Sequence, residues 1–441
     1  MNLTRIIQRF ITWSPDASML LFMAAILAAV LANSPFSPAY HAFFAQEVAL
    51  RIGNFNLLSH NGEPMTVLSF INDALMTVFF FLVGLEIKRE LLVGEISSFR
   101  KAALPFIAAC GGMVMPVLVY LFLCTPAGEG TRGLAIPMAT DIAFSLGVLT
   151  LLGNRVPLSL KVFLTAFAVV DDIGGILVIA IFYSSHIAIE YLLFSLILFI
   201  ILYMGNRRRV SNKTFYLVIG VAIWYLFLQS GVHSTISGVL VAFLVPAWPR
   251  LKIGRYIRSI HHDIDSFPNS GEETMILSHD QIEKLRHVNT ASRYVVSPLQ
   301  SMEDGLYRTV NFFILPLFAL ANAGVVLNGS PEEGNLLGNV TISVALGLII
   351  GKFIGIFSFT YLAVKTKLVL MPNGMNWKNL SGIALLGGIG FTVALFIANL
   401  SFNDSEALLN EAKMGVILGT IVSGILGYIV LRATLPKATH L

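Results

Sequence analysis

Apolar residues fill this chain in long, evenly spaced runs, and polar residues collect in the gaps between them. A helix needs about 20 mostly apolar residues to cross a bilayer. Twelve runs qualify, at 17–33, 67–92, 103–124, 133–152, 158–184, 187–204, 213–229, 232–247, 308–328, 338–364, 379–401 and 412–434. The eighth is short, and its separation from the seventh rests on Gln229-Ser230-Gly231. The pattern predicts an all-α, polytopic membrane protein with about twelve transmembrane helices, a single domain over residues 1–441.

Two stretches lie outside the spans. Within residues 34–66, Val48 to Ile52 and Phe55 to Leu58 alternate around Gly53-Asn54 and predict a small hairpin. A lone hairpin is marginal in water, so pairing with another subunit is expected here. Residues 249–307 predict a polar loop with helix around 278–295 and some disorder. Its His261-His262-Asp263 is a poor metal site, because adjacent histidines do not share a helix face and nothing nearby closes the ligand set.

Composition agrees with lipid as the solvent. Of 441 residues, 56% are hydrophobic and 12% charged, and mean hydropathy is +0.78. Soluble domains carry about 25% charged residues. A net charge of +4 gives no reason to expect a nucleic-acid partner. Cys110 and Cys124 offer no disulfide framework and no metal spacing, and read as packing residues. Arg5 and Arg9 before the apolar stretch Met19 to Leu31 could pass for a signal peptide, but with so many spans following, the stretch reads as a retained first span.

Loop charge orients the chain. Arg5 and Arg9, Arg100 and Lys101, Arg155 and Lys161, Arg207 to Arg209 with Lys213, the long loop, Lys365 and Lys367, and Arg432 with Lys437 occupy alternate loops and ends. The intervening loops are neutral or acidic. All basic clusters share one side only if the number of spans is even and both termini are cytoplasmic. Twelve spans meet that condition.

Charges inside a membrane are costly and mark functional candidates. In the fourth span, Pro137 interrupts the helix shortly before Thr140 and Asp141. Broken backbone at membrane depth survives where it lines a cavity or is buried in protein, and an acid with a hydroxyl suits a small hard cation. An ordinary proline kink is the alternative. In the fifth span, Asp171 and Asp172 are adjacent in an apolar run. Helix neighbours point about 100° apart, so one can line a cavity while the other pairs elsewhere. Carboxyl groups withdrawn from water hold protons more tightly. Such a group holds either a proton or Na+, the simplest chemistry of an exchanger. A structural acid pair is the alternative. In the tenth span Lys352 needs a carboxylate, for which Asp171 and Asp172 are the candidates, unless it snorkels. In the eleventh span Gly387-Gly388-Ile389-Gly390 weakens the helix ahead of Thr392, or else forms a close-packing face. The fourth span is the middle of spans three to five, and the eleventh the middle of ten to twelve. Two interrupted helices in matching places predict inverted repeats, with the interruptions crossing at the midplane.

Two more places suggest regulation. Glu86, Lys88, Arg89 and Glu90 end the second span and could gather cations at an entry or anchor the helix. His233 starts the eighth span and could sense pH or be a quiet helix-end residue.

The chain resembles the NhaA-type Na+/H+ antiporters of bacteria over about residues 18–430, apart from the long loop. The resemblance rests on Ile71 to Met76, Val83 to Leu91, Ala139 to Phe144, Asp171-Asp172, Gly231 to His233, Leu315 to Ala319 and Asn322 to Gly324. It implies an electrogenic exchange of Na+ (or Li+) for more than one H+, by alternating access in the inner membrane. It also implies that Asp172, with Asp171, is the cation and proton site, that Asp141 offsets the helix ends meeting beside Thr140, and that Lys352 pairs with Asp171. Glu86 matches an acid tied to pH response, and the 47–58 hairpin matches the family's homodimer contact. No cofactor is implied. One departure stands in residues 303–307. Glu303 is kept, while Asp304 and Tyr307 replace two histidines of better-known members.

Other classes fit less well. A cation channel would be poorly lined by Lys352. An intramembrane aspartyl protease needs its acids on separate helices. A Na+-coupled symporter of a small organic solute is the remaining alternative.

Overall fold

The computed structural model describes residues 17–49, 51–52, 55–56, 58–60, 63–94, 96–124, 129–183, 187–249, 251–267, 276–327 and 337–436. Every one of the twelve apolar runs lies on helix. Among the described residues, seven helices are long and apolar enough to cross a membrane unaided: Val67–Val93, Ala102–Leu123, Leu158–Phe182, Ile189–Arg207, Lys213–Ser230, Asn339–Lys365 and Glu406–Thr434. Three more spans are bent pairs. Ala17–Ala32 meets Ser37–Phe44 at 116°, Glu129–Met138 meets Ile142–Leu151 at 46°, and Trp377–Leu386 meets Phe391–Ser401 at 44°. The eighth span is the 11-residue helix Ser234–Leu244. The ninth runs over 298–322 through a π-turn at Val310–Ile314.

Local chemistry sets these boundaries. Thr66, Asn212 and Asn376 begin helices by accepting hydrogen bonds from the backbone N–H groups of Ser69, Thr214 and Asn379. Gly231, at φ +77°, ends the seventh span and turns the chain into the eighth. Further π-turns lie at Ile71–Leu75 and at Gly347–Gly351, the latter immediately before Lys352.

The fifth and tenth spans are the most buried of the long helices. The third and tenth cross backbone to backbone: a Cβ on Gly111 would strike the Gly355 carbonyl, and one on Gly355 would strike that of Gly111. Small residues allow such approach in membranes. On the outside, Leu193, Phe194 and Ile197 of the sixth span and Leu217, Val218 and Val221 of the seventh are exposed. An apolar surface of that kind is at home in lipid, not in water.

Several expectations need correction. Among the described residues five short strands accompany the helices: β1 Glu47–Val48, β2 Arg51–Ile52, β3 Phe55–Asn56, β4 Ser59–His60 and β5 Glu63–Thr66. β2 and β3 pair around 53–54 in the expected register, Arg51 opposite Asn56. β1 does not continue that hairpin but pairs with β5, which also holds β4. β2 and β3 thus form a two-stranded sheet of their own beside the three-stranded sheet β1-β5-β4, and two residue pairs alone are too few to hold a hairpin in water. In residues 249–307 the expected helix around 278–295 is present, and a second one precedes it at 253–265. Helices Ile253–Asp265 and His279–Val295 occupy most of them, while 268–275 lie outside the described residues. The ninth span begins at Pro298, ten residues before the apolar run, because Ser297 caps it by accepting from Gln300 N–H at 3.2 Å.

Candidate functional site

The two bent spans with breaks at 139–141 and 387–390 touch at those breaks. The Asp141 N–H donates to the Ile389 carbonyl at 2.6 Å. Thr140 donates its hydroxyl to the Gly387 carbonyl at 2.8 Å, and Ser145 donates to that of Leu386 at 3.1 Å. Gly387 and Leu386 close the helix Trp377–Leu386, whose last carbonyls lack partners within the helix. Hydroxyl groups from the fourth span therefore serve that negative end.

Asp141 serves the opposite polarity. Its Oδ1 accepts from the Phe144 N–H at 3.0 Å, in the first turn of Ile142–Leu151. Its Oδ2 accepts from the Thr392 N–H at 3.1 Å and the Thr392 hydroxyl at 2.6 Å, in the first turn of Phe391–Ser401. One buried carboxylate thus caps two helix N-termini, each carrying about half a positive charge.

Lys352 links this crossing to the fifth span. Its Nζ donates to the Thr140 Oγ1 at 2.9 Å and to the Asp171 Oδ2 at 2.7 Å. Both side chains of the Lys352–Asp171 pair are fully buried. The ammonium also stands 5.5 Å from the centre of the Phe167 ring, within cation–π range. Asp171 Oδ1 has no hydrogen-bond partner among the described residues. Asp172 is the more accessible acid, 9% exposed against 2% for Asp171. Among the described residues it makes no hydrogen bond. The structure thus joins Thr140, Lys352 and Asp171 by hydrogen bonds, with Asp141 next to Thr140 capping the broken helices and Asp172 next to Asp171 uncommitted.

A second group gathers where the second-span helix ends. Arg89 Nε donates to both carboxylate oxygens of Glu303, at 2.9 and 3.2 Å, and its Nη1 donates to Glu90 at 2.6 Å. Lys88 donates to the Phe243 carbonyl at 2.7 Å and to that of Val245. Lys88 thereby satisfies the C-terminal carbonyls of the eighth-span helix. Glu86 is half-buried on the same helix. His233 does not join this group. It holds the N-cap position of Ser234–Leu244, so the helix length, about 16 Å for its 11 residues, separates it from Lys88.

Sequence reasoning named Thr392 only for the glycines ahead of it, yet it supplies two of the bonds to Asp141. Asn72 and Asn322, quoted only within motifs, form a cluster with the unmentioned Asn399: Asn322 donates to Asn72 at 2.8 Å, and Asn399 donates to Asn322 at 2.9 Å, joining spans two, nine and eleven. Sequence reasoning also missed Lys413, buried in the last span. Polar residues inside apolar runs were the available signal for both. Asp73, quoted only within a motif, accepts from the Ser234 hydroxyl at 3.3 Å.

The sequence model of the family described as Na+/H+ antiporter 1 matches residues 8–431. The chain belongs to that family. It is 62% identical over 438 residues to the Na+/H+ antiporter NhaA of Bacteroides fragilis, covering 99% of this chain and all of that protein. It is 63% identical over 437 residues to the NhaA of Bacteroides thetaiotaomicron, with 99% of each covered. A protein of Syntrophotalea carbinolica named NhaA 2 is 42% identical over 436 residues, covering 98% of this chain and 97% of its own length. None of these names includes an organic solute, so the symporter alternative gains no support.

Proposed function

We propose that the protein exchanges Na+ for H+ across a bacterial inner membrane, with Asp172 as the group that holds either ion. The observation that carries this reading is the asymmetry of the acid pair. Asp171 is committed to Lys352, whereas Asp172 is buried nearby without a hydrogen-bond partner among the described residues. A buried carboxylate with no protein donor must take a proton or a cation. Both cannot occupy it together, and that competition couples the two fluxes once the site faces each side in turn. Family membership and the names of the relatives support the same reading. Li+ fits the same oxygen chemistry.

Lys352 and Asp171 hold the fifth and tenth spans in register beside the site. Asp141 and Thr140 fix the crossing of the broken spans, and Glu86, Lys88, Arg89, Glu90 and Glu303 form the cytoplasmic mouth. The chain works as one transmembrane domain over 1–441 with both termini cytoplasmic, and the 47–58 segment pairs two copies into a homodimer. His233, near Asp73, lines the opposite end of the eighth span.

The test is exchange in proteoliposomes holding an imposed pH gradient. Na+, Li+, K+ or choline is added outside, and lumenal pH is followed. Collapse by Na+ and Li+ alone, lost in Asp172→Asn, is expected. If no cation moves protons at any pH, the antiport reading fails. If Asp172→Asn exchanges fully, the function stands and the site does not.

A further inference from the structure

The helix Ile253–Asp265 carries more than loop packing requires. Ile253, Ile257, Ile260 and Ile264 recur at spacings of four, three and four, which puts them on one face. Three of them remain open: Ile253 is 67% exposed, Ile257 50% and Ile264 63%. A different face holds the helix to its neighbour His279–Val295. There the Tyr256 hydroxyl meets that of Ser292 at 2.8 Å, and buried Asp263 meets His287 Nδ1 at 2.6 Å. The isoleucine stripe therefore does not build the helical hairpin. Lys252, Arg255 and Arg258 are exposed on the remainder of this helix and its approach. Trp248, just ahead of it, is 70% exposed.

We propose that this helix lies in the plane of the bilayer, its isoleucines among the acyl chains and its basic residues on the phosphates of anionic lipid. Charge complementarity and tethering favour lipid over a protein partner. A basic amphipathic helix with a nearby tryptophan suits an interface, and an anionic leaflet attracts exposed Lys and Arg. The residues between Leu244 and Ile253 reach at most about 28 Å when fully extended. The Pro246 carbonyl accepts from the Leu299 N–H at 3.2 Å, which ties this stretch to the start of the ninth span. The helix is thus held near the level where the eighth span leaves the bilayer. A stripe of four side chains also covers far less than the roughly 1,200 Å² of a specific protein interface, whereas a lipid surface needs no matched partner.

The full-length protein with Cys110→Ala and Cys124→Ala would carry either Ile257→Cys or His262→Cys, labelled with an environment-sensitive fluorophore. Each is placed in phosphatidylcholine vesicles with and without phosphatidylglycerol, after a monodisperse gel-filtration profile establishes folding. Acyl-chain quenchers are expected to reach the label at position 257, and aqueous iodide the label at 262. The contrast should be greatest with phosphatidylglycerol. It should shrink in Arg255→Gln/Arg258→Gln and in 1 M salt, where the screening length falls from about 10 Å at 0.1 M to about 3 Å. Equal iodide quenching of both labels overturns the proposal. So does a label at 257 shielded from both quenchers, which would indicate a second copy of the chain. Insensitivity to phosphatidylglycerol overturns the headgroup contact.

Discussion

Replacing Lys352 by Met tests whether the buried ion pair is a structural tie distinct from the transport site. Lys352 and Asp171 are both fully buried, their bond is 2.7 Å long, and Asp171 Oδ1 has no compensating partner among the described residues. Removing one partner from such a pair leaves a buried carboxylate uncompensated, which costs about 3–5 kcal/mol. Replacing both partners by apolar residues removes the desolvation burden as well. The double variant Lys352→Met/Asp171→Leu should therefore recover at least about 2 kcal/mol relative to the sum of the singles, a coupling typical of contacting groups. Asp172→Asn serves as the contrast. With no hydrogen bond to lose among the described residues, it should change stability by less than about 1 kcal/mol while abolishing exchange. Thermal inactivation half-lives in detergent provide the readout, since membrane proteins seldom unfold reversibly and a barrier change of about 1.4 kcal/mol is tenfold in rate. If Lys352→Met inactivates like the parent, or the double variant is as weak as the singles combined, the pair does not hold the spans as argued.

Three other perturbations follow from the geometry. Asp141→Ala removes the cap from two helix N-termini at once and should cost about 1–4 kcal/mol, each cap contributing about 0.5–2; an unchanged inactivation rate would show that the capping is inert. Gly355→Ala drives a methyl group into the Gly111 carbonyl and should cost about 1–3 kcal/mol as overpacking. The same thermal assay checks it, with Gly254→Ala, which meets open space, as the control. For Arg89 and Glu303, a double-mutant cycle should return a coupling of about 0.5–1 kcal/mol. One N–H is shared by both Glu303 oxygens, the arginine side chain is 35% exposed, and solvent screens the pair; a coupling of zero would remove it as a link between the second and ninth spans.

The hydropathy pattern determined most of the architecture. Lipid cannot satisfy backbone polar groups, so each crossing must be a helix of sufficient length, and that requirement is written locally in each run. The cost of burying charge singled out Asp141, Asp171, Asp172 and Lys352 in the same way. What remained open in the residues themselves was partnership. Neighbours on one helix diverge by about 100°, and that angle cannot say which aspartate meets Lys352. The packing of the fifth span against the tenth decides it in favour of Asp171 and leaves Asp172 uncommitted. Likewise, the glycines of the eleventh span announced a weak helix, but only the crossing revealed that Thr392 and Phe144 share the Asp141 carboxylate. The pairing of β1 with β5 and the separation of His233 from Lys88 also depend on contacts between distant segments. Local composition reports which solvent a segment requires. Which donor meets which acceptor depends on the relative placement of whole helices, and that is determined only when the bundle packs.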